Sequence, residues 1–154
     1  MTPDSNIYIS GGVDIETGMI LNSSYLFDSE NVTLKPICDM LVKRIGHQLV
    51  YVDNCIYVIG GKTDNQVCTK LCERFNITTS QWETIDQMNY ARTRSGVTRF
   101  NSLNGETFIY VFFGTDTMKL TNQSIERYSV IFNRWEVVNL KYHMKRLETS
   151  GLGC

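Results

Sequence analysis

The residues Gly60-Gly61-Lys62-Thr63, within the stretch CIYVIGGKTDN (55–65), carry the residue types of a phosphate cradle. A P-loop needs glycine where Ile56 stands, and it needs the Gly-Lys-Thr ending to open a helix. A dinucleotide fingerprint needs three spaced glycines at a strand-to-helix turn. Neither pattern is met, so the glycine pair is expected to bend a strand rather than bind phosphate. Cys68 and Cys72 share a face if the segment is extended, but a zinc site needs two further ligands at suitable spacing. The two histidines, His47 and His143, belong to no Ser-His-Asp order and no His-Glu-x-x-His helix. No catalytic residue, metal ligand or cofactor site is therefore expected.

The composition narrows the class. The chain has 154 residues, one domain's worth, with 42% apolar and 20% charged residues. A formal net charge of −1 gives no basic excess to hold nucleic acid. No apolar stretch reaches the ~18 residues that cross a bilayer, and MTPDSNIYIS lacks the pattern of a signal peptide. An odd count of five cysteines fits a reducing compartment, so a cytoplasmic setting is expected. The sequons at Asn22, Asn31, Asn76 and Asn122 then read as turn chemistry. Frequent aromatic and β-branched residues, two prolines, and the lack of a sustained helical period predict an all-β fold.

Internal repetition sets the architecture. NIYISGGV (6–13), CIYVIGGK (55–62) and FIYVFFGT (108–115) align, with Tyr8, Tyr57 and Tyr110 in register. Gly11-Gly12 and Gly60-Gly61 follow, and in the third copy Phe113 replaces the first glycine before Gly114. LCERFNITTSQWETI (71–85) aligns without a gap on SIERYSVIFNRWEVV (124–138), so Glu73-Arg74-Phe75 meets Glu126-Arg127-Tyr128 and Trp82 meets Trp135. On this alignment Cys72 falls on Ile125, an apolar core position. The first copy places Phe27 at the aromatic position, Leu34 at the tryptophan and Met40 on Met88. A third element, with a glycine opening a short strand, recurs in KRIGHQLVYV, TRSGVTRF and TSGLGC. Each unit thus has four strands: a from the lone glycine, b ending in the glycine pair, c with Glu-Arg-aromatic, d from tryptophan. Glycine suits the bend because it reaches positive φ and lets another backbone approach closely. The tryptophans are expected to pack between adjacent sheets. The repeated Glu-Arg pair is expected to tie sheets together.

With a period near 50 residues and these landmarks, the sequence resembles the kelch repeat of β-propellers over residues 6–154. Its Asn- and Ser-rich units look like the divergent kelch repeats of protist proteins. The resemblance implies one partial propeller of four-stranded antiparallel blades, about 6–41 (incomplete), 43–89 and 93–140, with 146–154 opening a further blade. Twelve strands make three blades' worth in a shifted frame, too few for a ring of four to eight. The short run after Gly151 and the start at strand b favour a piece of a larger ring. The alternative is two chains joined into six blades, which would show twice the 17.7 kDa mass.

The resemblance also carries functional expectations. In kelch adaptor domains, arginines before the strand-a glycine help bind acidic peptides. By that match Arg44 (before Gly46) and Arg94 (before Gly96) become candidate rim contacts, with Thr149 breaking the series. The polar b-to-c loops add Lys62, Thr63, Asp64 and Asn65, and Thr115, Asp116 and Thr117. The implied function is a non-catalytic scaffold or adaptor for protein partners, cytoskeletal or ciliary in its structural form. One alternative is the substrate-recognition module of a cullin-type ubiquitin ligase, whose BTB-type domain does not fit within 154 residues. The other is a copper-radical or sugar-processing enzyme of kelch-like fold, for which the two histidines show no motif.

Overall fold

The computed structural model describes residues 6–139. Eleven strands form three antiparallel sheets, and no helix occurs among the described residues. The first sheet holds β1 (Ile7–Val13), β2 (Ile20–Asp28) and β3 (Thr33–Ile37) in that order. The second holds β4 (Gln48–Val52), β5 (Cys55–Ile59), β6 (Cys72–Asn76) and β7 (Gln81–Ile85). The third holds β8 (Gly96–Asn101), β9 (Thr107–Phe112), β10 (Ile125–Ser129) and β11 (Arg134–Val138). These are the meandering blades the repeat implies, the first without an inner strand among the described residues. The expected twelfth strand, and the stretch 146–154 as a whole, lie outside the described residues, as do Thr149 and His143.

Register supports the alignment of the copies. Phe75 faces Trp82 across β6 and β7, and Tyr128 faces Trp135 across β10 and β11. Phe27 faces Leu34 in the first sheet, which places Leu34 at the tryptophan position.

Two apolar clusters lie between the sheets. Ile56, Val58, Phe75 and Trp82 pack with Met40, Tyr8 and Ile37 between the first and second sheets. Tyr57, Ile59, Cys72 and Ile85 pack with Met88, Ile109, Val111, Tyr128 and Trp135 between the second and third. Tyr8 meets Phe75 with ring centroids 6.2 Å apart, and Tyr57 meets Tyr128 at 5.9 Å. Each tryptophan also donates its indole N–H to the end of the preceding sheet: Trp82 to the Cys38 carbonyl at 2.7 Å, Trp135 to that of Asp86 at 2.9 Å. Apolar area and one satisfied polar tip thus join neighbouring blades through the same side chain.

The glycine bends have a steric cause. At Gly60, with φ +63°, a Cβ would sit 2.6 Å from the Arg92 carbonyl oxygen and 3.0 Å from the Met88 methyl. At Gly11 the same role falls to the Arg44 carbonyl and the Met40 methyl. Phe113 holds the equivalent turn with φ +56°, in a left-handed conformation that costs a side-chain-bearing residue roughly 1–2 kcal/mol.

Candidate functional site

The residues before each inner strand do two different things. Arg44 is wholly buried. Its main chain stays with the first sheet, where its N–H donates to the Leu21 carbonyl and its own carbonyl accepts from Gly12 N–H. Its guanidinium enters the second sheet, donating to the Gly60 and Leu71 carbonyls at 2.9 Å and to the Glu73 carboxylate. Glu73 also accepts from the N–H groups of Leu41 and Val42. The second and third sheets repeat this clamp. Arg92 donates to the Phe113 and Ser124 carbonyls and, at 2.6 Å, to Glu126. Glu126 accepts from Asn89 and Tyr90 N–H.

The expectation that Arg44 is a rim contact is therefore corrected: it is an interior clamp. Its counterpart is Arg92, not Arg94, so the glycine-based alignment of the inner strands is two residues out of step. Antiparallel bridges fix the true register, Ile45 to Lys62 and Thr93 to Thr115. Arg94 thereby occupies the place of Gly46, and both take left-handed φ, +54° and +65°. The expectation for the Glu-Arg pair divides as well. Glu73 and Glu126 tie blades, whereas Arg74 pairs with Glu83 at 2.6 Å and Arg127 with Glu136 at 2.9 Å within their own sheets.

Arg94 itself is exposed and lines a cleft of about 370 Å³ with Ile45, Gly46, Lys62, Gln66, Thr93, Thr115 and Lys119. Three cations from three separate segments converge there: Lys62 on the loop after β5, Arg94 on the entry to β8, Lys119 on the loop after β9. None of them forms an ion pair among the described residues. The two loops share one backbone despite different side chains. Thr63 N–H donates to the Val67 carbonyl and Gln66 N–H to that of Thr63, as Asp116 does to Leu120 and Lys119 to Asp116. Gln66 and Lys119 both turn the corner with φ near +60°.

The remaining candidates build the loops. Thr117 Oγ1 accepts from Cys68 N–H at 2.9 Å, stitching one loop to the other. Asp116 Oδ1 accepts from Leu120 N–H at 2.9 Å, and Thr63 Oγ1 donates to the Val67 carbonyl. Asp64 and Asn65 stand exposed at the tip of their turn. Val67, Met118 and Leu120 add exposed apolar surface on the same two loops. Sequence reasoning did not single out Gln66, Thr93 and Lys119. The seven-residue match of 62–68 to 115–121 would have brought out Gln66 and Lys119.

His47 follows Gly46 but faces inward, against the bends at Gly11 and Gly61. Burial, reinforced by the Arg44 charge, lowers its pKa to about 4, so the imidazole is neutral at pH 7. Cys68 and Cys72 are buried, and burial pushes the Cys72 thiol up to about 12.

Meandering sheets of three and four strands joined by repeated tyrosine, tryptophan and arginine contacts define a kelch-type β-propeller arc. Residues 7–150 match the Attractin/LZTR1 beta-propeller family, and the chain belongs to that family. Among similar proteins, Kelch-like protein 40 of Xenopus laevis is 28% identical over 134 residues, covering 86% of this chain and 21% of that protein. Kelch-like protein 25 of Xenopus tropicalis is 25% identical over 139 residues, covering 85% and 23%. The chain thus spans about a fifth of the length of these relatives. A solved structure titled "Structure of YjhT" superposes with a TM-score of 0.75 at 13% identity, covering 90% of this chain and 50% of that one.

Proposed function

We propose that this chain is a non-catalytic protein-interaction segment of a kelch-type propeller, and that its rim cleft holds an acidic peptide of a protein partner. The observation that carries the reading is the convergence of Lys62, Arg94 and Lys119 on one cleft without ion pairs among the described residues. Carboxylates entering such a cleft gain charge-assisted hydrogen bonds. The neighbouring Val67, Met118 and Leu120 offer apolar contact to residues flanking the acidic group. Rim loops on a rigid scaffold suit this use.

One form this reading takes is an adaptor, such as the substrate-recognition part of a cullin-type ligase. A cytoskeletal or ciliary scaffold is the other form this reading takes. The unpaired Cys38, Cys55, Cys68 and Cys72 support a reducing, cytoplasmic setting.

Fluorescence anisotropy with labelled Glu-rich and Lys-rich peptides of equal length tests the proposal. Binding of the acidic peptide alone, weakened by salt, is expected. Equal binding of both peptides, or of neither, would refute it.

A further inference from the structure

Each sheet-to-sheet junction in this chain has a donating face and a receiving face. The donating face carries the tyrosine of the second repeat strand, Tyr8 at one junction and Tyr57 at the next. The receiving face carries two aliphatic residues and an aromatic: Ile56, Val58 and Phe75, then Ile109, Val111 and Tyr128. Among the described residues both outer sheets leave one such face without a neighbouring sheet, and the two faces are opposite halves of the same junction. On the third sheet Tyr110 stands where Tyr57 does, beside Phe112, Ile125, Val138 and Phe100, which line an apolar groove of about 440 Å³. On the first sheet Ile7, Ile9 and Phe27 occupy the positions of Ile56, Val58 and Phe75.

Exposure shows what covering these faces would bury. Ile7 and Ile9 are 39% and 43% exposed, against 5% and 0% for Ile56 and Val58. On the third sheet Phe100 is 51% exposed, Tyr110, Phe112 and Val138 are half-buried, and Ile125 is buried. Contiguous apolar faces of this kind favour association.

We propose that a second copy of this chain covers both faces, the third sheet of each copy stacking head to tail on the first sheet of the other. A second copy presents both halves at once and with the spacing of one arc. The arc superposes on half of a longer solved chain, so its shape is that of half such a fold. Two arcs related by a twofold axis therefore close a ring without a leftover face. The sequence alone favours a piece of a larger ring. The pairing of faces adds that this chain is complementary to itself, and the inference is independent of the rim reading.

Sedimentation equilibrium of the 154-residue chain at tens of micromolar tests it, with Ile9→Glu on one face and Phe112→Glu on the other. The unsubstituted chain is expected at twice 17.7 kDa. Each variant alone is expected to dissociate about a hundredfold more readily, because it buries an unpaired carboxylate at both junctions. In an equimolar mixture the mixed pair keeps one unaltered junction and crowds both carboxylates into the other, so association is recovered in part, through a single junction. Far-ultraviolet circular dichroism of each variant checks that the sheets persist. A monomeric parent chain overturns the proposal. So does a dimer that tolerates Ile9→Glu, or a mixture that associates no better than either variant alone while both are folded.

Discussion

Arg44 and Glu73 form an ion pair with both side chains enclosed, and the arginine's own backbone belongs to the neighbouring sheet. Arg92 and Glu126 repeat the arrangement one blade later. Each pair sits where the chain crosses between sheets, so it fixes how one blade meets the next. Buried pairs of this kind are costly to break from one side, because the remaining charge loses its partner.

Arg44→Ala is accordingly expected to destabilise the fold by about 3–5 kcal/mol, read from urea unfolding. Arg44→Lys should recover only part of this, since an ammonium cannot reproduce the fork that reaches two carbonyls and a carboxylate. A loss below about 1 kcal/mol, the size of a surface pair, would contradict the clamp.

The rim cations should behave in the opposite way. Arg94→Ala combined with Lys119→Ala is expected to shift stability by no more than about 0.5 kcal/mol. The same double variant should weaken capture of an acidic peptide and flatten its salt dependence. Unchanged capture would remove these side chains from the binding surface.

Gly60→Ala tests the bend. The added Cβ would meet the Arg92 carbonyl at 2.6 Å, and the left-handed backbone opposes any side chain. Backbone strain alone costs roughly 1–2 kcal/mol, so a loss greater than that is expected in thermal or urea unfolding. Gly12→Ala should lose stability through the backbone alone, because no atom lies within 4 Å of its Cβ position but its φ of +114° opposes any side chain.

His47 predicts a particular acid sensitivity. Its folded pKa is about 4 against 6.5 in the unfolded chain. Between those values the unfolded state binds the extra proton. The stability held by the neutral imidazole is complete above pH 6.5 and is lost as pH falls towards 4, by up to roughly 3 kcal/mol. Urea unfolding from pH 7 to 4 should show a shallower decline for His47→Gln than for the parent chain. Parallel declines would mean that His47 titrates alike in both states.

The fold was legible because its landmarks are side chains with steric or packing duties that cannot move. Tyr8, Tyr57, Trp82 and Trp135 recur at fixed offsets because each fills the same gap between sheets. The inner-strand entry was misread because glycine is a poor landmark where a left-handed turn tolerates other residues. Arg94 takes the conformation of Gly46, and Gly96 merely follows. Matching the glycines therefore moved Arg44 to the rim and hid Arg92. The rim loops misled in a different way. Their side chains differ, yet their hydrogen bonds coincide, because turn geometry is set by backbone donors and acceptors. The convergence of Lys62, Arg94 and Lys119 depends on how blades two and three pack, which no local pattern encodes.

An amide chemical-shift titration of the isotopically labelled chain with a Glu-rich peptide probes the rim reading most directly. Saturable shifts confined to 62–68, 92–95 and 115–121, lost in the Arg94→Ala, Lys119→Ala variant, are the predicted result. Shifts spread over the outer sheet faces, or none near the cleft at low salt, would contradict it.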